Sequence, residues 1–200
     1  MAEENKEYLG KLFLIVGPSG SGKGTVIEHI QSRYPGFVYP VSYTTREPRK
    51  GEVDGEVYHF ISKAEFEKRI EEGGFLEYAT VHSNNYYGTA KDEILDALRQ
   101  GSVVMREVDI QGFNSIREIV PEEALCSIFM RVKDEGDLRN RILNRGKLSE
   151  EEIERRMDSA RKESAQSEKC DYQVDNEWGK IKQCVDEVEK IIMAEIKDLY

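Results

Sequence analysis

Short apolar runs and amphipathic stretches alternate along the chain. Residues 12–16 are all apolar and predict a fully buried strand, and the stretch from residue 26 has the spacing of a helix that ends before Pro35. Apolar or alternating runs predict further strands at 37–42, 57–61, 75–81, 86–89, 102–110, 126–132 and 172–174. Helical spacing predicts further helices at 62–72, 91–99, 113–119 and 180–198, with a charged helical block at 135–168.

The alternation of strands and helices indicates an α/β protein with a parallel sheet flanked by helices on both faces. Two blocks interrupt the alternation, one basic and rich in turns, the other helical and charged. They are interpreted as lobes of one domain that spans 1–200. Its core is predicted at 1–42, 90–135 and 167–200, and its lobes at 43–89 and 136–166. Ligands of proteins with such sheets bind at the carboxyl ends of the strands, which is where the loop after the first strand lies.

The composition excludes several functional classes. Charged residues make up 34% and hydrophobic residues 38%, and the net charge of −10 argues against a non-specific nucleic-acid binder. The apolar runs are too short to cross a bilayer and the first residues do not resemble a signal peptide, so no membrane partner and a cytoplasmic location are expected. Cys126, Cys170 and Cys184 are widely separated and are expected to be reduced thiols. No exposed apolar stripe stands out, which leaves the oligomeric state open.

The nine residues after the first strand have the pattern of a phosphate-binding loop. Residues 17–25 read Gly-Pro-Ser-Gly-Ser-Gly-Lys-Gly-Thr and connect the predicted strand to the predicted helix. The glycines let the backbone aim successive N–H groups at phosphate oxygens, while the helix start and Lys23 add positive charge. Gly24 stands where a Ser or Thr usually holds Mg²⁺, so Thr25 is expected to contact phosphate. The alternative is a glycine-rich turn with a solvated lysine.

Two features of the basic block suggest a second anion and a base. Arg46 and Arg49 flank a proline turn and could converge on one phosphate, with the Tyr58 hydroxyl as a further donor. Glu77 lies among apolar and aromatic residues, and one carboxylate can accept from both N1–H and the 2-amino group of guanine. Taken singly, these residues could equally form a solvated basic turn and a charged strand end.

Several motifs in a fixed order make the chain similar to a known family. They are the loop at 17–25, Ser-x-Thr-Thr-Arg-x-Pro-Arg from Ser42, Gly-Glu-x-x-Gly-x-x-Tyr ending at Tyr58, Phe-x-Glu-Tyr around Glu77, Tyr-Gly-Thr at 87–89 and Val-Asp-x-Gln-Gly at 108–112. Over residues 11–195 the chain closely resembles guanylate kinase. The resemblance implies transfer of the γ-phosphoryl group of ATP to GMP with Mg²⁺, and dGMP as a second expected acceptor. It also implies a P-loop kinase core, a small mixed-β GMP-binding lobe and a helical lid.

The resemblance also assigns residues. It implies that ATP is bound by Gly17, Pro18, Ser19, Gly20, Ser21, Gly22, Lys23, Gly24, Thr25 and Asn176. It implies that GMP is bound by Ser42, Arg46, Arg49, Tyr58, Glu77, Tyr87, Thr89 and Asp109. The residues expected to act on the transferred group are Lys23, Arg46, Arg145 and Arg156, with Arg141 as a further candidate. Thr25, Glu107 and Asp109 are candidates for holding Mg²⁺, directly or through water, and the alternative for Glu107 and Asp109 is polar capping of a strand end.

Three positions depart from the family pattern. Arg106 stands where the strand is usually apolar, and it is expected either to extend to an edge or to serve a ligand. Tyr43 is bulky for its turn, and Glu177 stands where the family often has Asp. Two other functions are compatible with the pattern. One is an inactive guanylate-kinase-like module that binds proteins, and the other is a P-loop kinase for a different small acceptor.

Overall fold

A computed structural model of the protein describes residues 8–81, 85–144 and 148–197. Its strands are β1 Lys11–Val16, β2 Tyr43–Thr44, β3 His59–Phe60, β4 Phe75–Val81, β5 Asn85–Ala90, β6 Val103–Val108, β7 Leu125–Arg131 and β8 Tyr172–Asp175. Its helices are α1 Lys23–Arg33, α2 Lys63–Glu71, α3 Lys91–Arg99, α4 Ile110–Ile116, α5 Glu135–Leu143, α6 Glu150–Ser164 and α7 Ile181–Glu195. Among the described residues, no helix is both long and apolar enough to span a membrane.

A four-stranded parallel sheet in the order β6-β1-β7-β8 forms the centre of the molecule. Side chains of β1 alternate between two cores. Leu12 and Leu14 pack with α3 and α4 on one face, and Phe13 and Ile15 pack with α1 and α7 on the other. Because both faces are covered, the predicted α/β class with a helix-flanked parallel sheet is confirmed.

The second sheet is small and mixed, with the order β3-β2-β5-β4. Strand β2 pairs parallel with β3 and antiparallel with β5, which pairs antiparallel with β4. Helix α2 covers it through Phe66, whose ring stacks 4.3 Å from Phe75 and 5.1 Å from Tyr86, measured between centroids. This sheet lies within the block that the sequence assigned to a separate lobe.

Two predicted strands differ from the structure. The predicted strand at 37–42 is only an isolated bridge, in which the Val38 N–H donates to Val103 O at 2.8 Å and Met105 N–H donates to Val38 O at 2.9 Å. Pro40 has no N–H to continue that ladder. The predicted strand at 57–61 is reduced to the two residues of β3, and the predicted helix at 113–119 begins earlier, because Asp109 caps α4.

Helices α5 and α6 form the charged lobe around a small apolar core of their own. Leu138 and Ile142 of α5 pack with Ile153 and Met157 of α6. The same α5 side chains lie against the loop after β1, since a Cβ placed on Gly20 would be 3.2 Å from Leu138 Cδ1. The charged lobe therefore borders the loop directly.

Candidate active site

The loop after β1 folds as a phosphate-binding loop requires. Gly22 immediately precedes α1 and has a φ of +95°, a conformation that strains any residue with a Cβ. Lys23 bends back over the loop, and its Nζ donates to Gly17 O at 2.6 Å and to Pro18 O at 3.1 Å. Ser21 is fully buried, and its Oγ has no hydrogen-bond partner among the described residues. A concave turn with a lysine ammonium beside a helix start suits a polyphosphate.

A cleft of about 390 Å³ opens beside this loop, between α5 and the segment after β8. Asn176 is 3% exposed, and its Nδ2 donates to Ser21 O at 2.8 Å. Arg141 Nη2 donates to Asn176 O at 2.8 Å, and the Arg141 guanidinium lies 5.8 Å from the centroid of the Trp178 ring. The lining residues are Gly20, Gly22, Thr25, Arg141, Asn144, Asn176, Glu177, Trp178, Gly179 and Ile181. The loop and an aromatic wall thus share one cleft.

Trp178 is a residue of this cleft that the sequence analysis did not single out. It is the only tryptophan of the chain, and 56% of it is exposed to solvent. A large aromatic side chain in a short polar segment after Asn176 was the signal that could have identified it. Arg141, a candidate for the transferred phosphoryl group, contacts Asn176 and Trp178, and its Nη1 lies 3.9 Å from the Cβ position of Gly22 in the loop.

Arg46, Tyr58 and Tyr87 come together in the second lobe. The Arg46 guanidinium lies 5.4 Å from the Tyr58 ring centroid, and the Tyr58 and Tyr87 rings meet edge to face at 5.6 Å. Arg46 Nη2 donates to Glu52 Oε1 at 3.0 Å, and the Arg49 backbone N–H donates to Glu52 Oε2 at 2.7 Å. The structure therefore brings Arg46 and the two tyrosines together as predicted, while the Arg49 side chain is exposed.

Glu52 orders this turn, and it was not predicted as a site residue. The hydrogen bond from the Arg49 amide, together with the Arg46 guanidinium, lowers the pKa of Glu52 and keeps it ionised. Its position in the Gly-Glu motif, directly after the basic pair Arg49-Lys50, was the available signal. The carboxylate fixes the Arg46 guanidinium within a cage formed by Arg46, Tyr58 and Tyr87.

A second polar cluster lies near the start of β4 and the end of β5. Glu77 and Thr89 face each other across the strand pair, and Thr89 Oγ1 donates to Glu77 Oε1. Thr89 is fully buried. Burial raises the pKa of Glu77, an effect that Thr89 and Arg106 oppose and Asp109 reinforces. Three predicted guanine-binding residues, Glu77, Thr89 and Asp109, therefore lie within electrostatic reach of one another.

Asp109 stabilises the start of α4 in addition to its predicted role in the base site. Its Oδ1 accepts from the N–H groups of Gln111 at 3.0 Å and Gly112 at 2.8 Å, so it is the N-cap of α4. The other oxygen, Oδ2, makes none of these capping bonds. Ser42, the remaining predicted base contact, accepts a hydrogen bond from Arg106. Arg106, expected either to extend to an edge or to serve a ligand, contacts Ser42, which is a predicted ligand residue.

The two halves of the site face the same sheet edge. The Glu107 carboxylate at the end of β6 lies 3.5 Å from the Cβ position of Gly24 in the loop. Burial is the main cause of the raised pKa of Tyr58, the neighbouring Tyr87 is the next, and Glu107 adds a smaller contribution. Burial likewise raises the pKa of Glu163 on α6, which Asp109 reinforces and Lys23 opposes. Side chains from the loop, the cage and the charged lobe thus share one electrostatic environment.

The charged lobe contains the remaining predicted residues. Arg156 Nε donates to Glu152 Oε1 of its own helix at 2.9 Å. Arg145 lies outside the described residues. Glu163 is an unpredicted neighbour of the loop, and its Oε2 is buried without a hydrogen-bond partner among the residues described. Only its position at the end of a long charged helix could have indicated it.

The chain is similar to known proteins along most of its length. A sequence model described as guanylate kinase matches residues 9–195. The chain is 40% identical to a guanylate kinase from Helicobacter pylori over 187 residues, which is 93% of this chain and 89% of that protein. It is 43% identical to one from Clostridium tetani over 186 residues, covering 93% and 86%. A crystal structure of guanylate kinase from Anaplasma phagocytophilum superposes with a TM-score of 0.70 at 27% identity, covering 94% and 87%.

Proposed function

This chain belongs to the guanylate kinase family, and on that premise we propose how its residues divide the work of moving a phosphoryl group from ATP to GMP. The family membership makes the chain an ATP:GMP phosphotransferase, a nucleoside monophosphate kinase that forms ADP and GDP. The placement of each nucleotide, the metal and the acceptance of dGMP are part of the proposal.

One observation supports the placement most strongly. The phosphate-binding loop follows β1, and the neighbouring strand β6 ends beside it, with Glu107 3.5 Å from the Cβ position of Gly24 and Arg106 hydrogen-bonded to Ser42 of the second lobe. A phosphoryl donor on the loop and a phosphorylated acceptor in the cage would therefore meet end to end. Holding two reactants in line is the main requirement of phosphoryl transfer.

ATP occupies the loop and the adjoining cleft in this proposal. The backbone of residues 17–22 and the Lys23 ammonium bind its β- and γ-phosphates, for which Lys23 exchanges its bonds to Gly17 O and Pro18 O. The adenine lies in the cleft lined by Asn176, Arg141 and Trp178. The Asn176 amide fixes the loop to the cleft wall through Ser21 O.

GMP occupies the second lobe. Its phosphate is bound by Arg46, Tyr58 and Tyr87, to which Arg49 is added from the neighbouring turn. Its base lies against Ser42 and the Glu77 carboxylate, which accepts from N1–H and the 2-amino group. Thr89 and Asp109 complete the base site at the end of β5 and β6. None of these residues is assigned to the ribose 2′-hydroxyl, so dGMP is expected to be accepted as well.

The reaction needs no protein base, because the GMP phosphate is already an anionic nucleophile. The chain's task is to align the two phosphates, neutralise charge on the transferred group and exclude water. Lys23 and Arg46 supply positive charge from the two sides of the site. Arg156 and Arg145 of the charged lobe are proposed to add more when that lobe covers the nucleotides.

The donor groups at this edge fit a Mg²⁺ ion that ATP brings with it. Thr25 lines the cleft, the Glu107 carboxylate faces the start of α1, and Asp109 keeps one oxygen out of its capping bonds. Within the described ranges, no group of three or more His, Cys, Asp or Glu side chains forms a metal cage. Mg²⁺ keeps several waters and phosphate ligands, so Glu107 and Asp109 would hold it through water. When bound, the ion would neutralise charge on the phosphates.

A coupled ADP-release assay tests the acceptor directly. GMP, dGMP, AMP, CMP and UMP are offered separately at fixed ATP, with and without Mg²⁺. The proposal expects rapid turnover with GMP and dGMP, little with the other three, and dependence on the divalent ion. A preference for AMP or a pyrimidine nucleotide would contradict the base site assigned to Glu77. The cytoplasmic location stays a prediction.

A further inference from the structure

Arg106 is placed in an unusual way for an arginine in a core strand. It lies on β6 next to Leu14 of β1, and its guanidinium points to the segment that leads into the second lobe. Its Nη1 donates to Pro40 O at 3.0 Å, and its Nη2 donates to Ser42 Oγ. The Nε is buried and has no hydrogen-bond partner among the described residues. Burial of a charged group is unfavourable unless the group is hydrogen-bonded, and the bonds to Pro40 and Ser42 satisfy Nη1 and Nη2 while Nε stays without a partner.

The bond to Ser42 fixes the direction of its hydroxyl proton. A serine hydroxyl has one proton to donate and two lone pairs that accept. Because Arg106 occupies a lone pair, the Ser42 proton is left to point away from the arginine, and the nearby positive charge strengthens the hydroxyl as a donor. Guanine presents an acceptor, O6, where adenine presents an amino donor. A fixed donor at this place therefore discriminates between the two purines.

The same arginine also acts on the other side of the base site. It counters the effect of burial on Glu77 and so favours the ionised carboxylate, against the neighbouring Asp109. Thr89, which donates to Glu77, is the remaining polar group that faces this carboxylate in the described contacts. Arg106 thus bonds Ser42 and acts electrostatically on Glu77, which are two of the groups that the proposed function assigns to the guanine.

We propose that Arg106 is a positioning residue for guanine, which holds the Ser42 hydroxyl as a donor to O6 and so selects 6-oxopurine acceptors. This inference rests on the proposed function, because it requires GMP to lie between Ser42 and Glu77. It goes further in naming the side chain that positions the Ser42 hydroxyl.

The test compares acceptors that differ at a single position. Arg106→Met keeps the apolar stem and removes both donors, and it should lower kcat/KM for GMP by about 10-fold while the KM for ATP stays the same. In 6-thio-GMP, sulfur replaces O6 and accepts hydrogen bonds weakly. The unmodified enzyme should prefer GMP over 6-thio-GMP, and the variant should lose most of that preference. The preference for GMP over IMP, which differ in the 2-amino group, should not change.

Further variants separate positioning from a purely structural role. Ser42→Ala should remove the same preference, and the double variant with Arg106→Met should lose little more than either single variant. Arg106→Lys should restore part of the loss. Arg99→Met, at another arginine with a buried and unpartnered Nε, serves as the matched control and should change none of these ratios.

Three results would overturn the inference. They are an unchanged preference for GMP over 6-thio-GMP in Arg106→Met, equal losses for all three acceptors, and additive effects of the Ser42 and Arg106 substitutions. A failure of the proposed function looks different, because the unmodified enzyme would then not phosphorylate GMP at all.

Discussion

Replacing Glu77 by Gln changes the charge of the base site and almost nothing else. The side chain keeps its volume and can still accept from Thr89 Oγ1 through its amide oxygen. In that orientation the amide NH₂ faces the guanine, so two donors meet where a carboxylate had accepted. The substitution therefore removes one to two charge-assisted hydrogen bonds from the bound base.

The size of the effect follows from those bonds. A hydrogen bond to a charged group contributes about 1.5–3 kcal/mol, so the loss should be about 2–4 kcal/mol, or about 30- to 1,000-fold in kcat/KM for GMP. The KM for ATP should stay within about twofold, because no ATP contact is assigned to Glu77. Glu71→Gln is the matched control, since this exposed glutamate lies on the outer side of the same lobe.

The pH profile gives the substitution a signature of its own. Burial raises the pKa of Glu77, and only the ionised carboxylate accepts both guanine donors. The affinity for GMP is therefore present above that raised pKa and is lost as the pH falls through it. In Glu77→Gln this acid limb should disappear, which leaves the titration of the GMP phosphate alone. Equal rises in both Michaelis constants, or identical acid limbs in the two proteins, would refute the base-reading role.

Three further predictions concern the ATP side of the site. Lys23→Met should lower kcat by at least about 100-fold with an unchanged melting temperature, and a near-normal steady-state rate would exclude Lys23 from transfer. Gly22→Ala places a Cβ at a φ of +95° and against Asn176 Nδ2, so the KM for ATP should rise by about tenfold or more in initial-rate assays, while an unchanged value would mean that the loop adapts freely. Trp178 is the only tryptophan, so its fluorescence should change on titration with ATP and not with GMP alone, and the reverse response would move adenine out of that cleft.

Features that depend on neighbouring residues in the sequence were predicted well. The buried strand β1 and the loop after it follow from an apolar run, glycine spacing and Lys23, all within fifteen residues. The helix-flanked parallel sheet follows from the alternation of strand and helix patterns and is confirmed by the structure. Local patterns succeed here because strand, loop and helix are consecutive.

Features that depend on tertiary contacts were predicted poorly. The prediction of a strand at 37–42 is wrong, because Pro40 has no N–H to continue the hydrogen-bond ladder that Val38 begins along β6. Glu52 and Trp178 were missed although they are close in sequence to Arg46 and Asn176, because the carboxylate contact and the cleft that give them importance appear only in the folded chain. The capping role of Asp109 shows that one residue can serve the fold and a predicted ligand at once.

The central claim is that ATP and GMP bind end to end across one edge of the sheet. A crystal structure with a bisubstrate analogue, adenosine and guanosine joined through five phosphates, tests it most directly. The account predicts guanine within hydrogen-bond distance of Glu77 and Ser42, adenine beside Asn176 and Trp178, and the phosphate chain running from Lys23 to Arg46. Guanine bound elsewhere, or a phosphate chain that misses either Lys23 or Arg46, would contradict it.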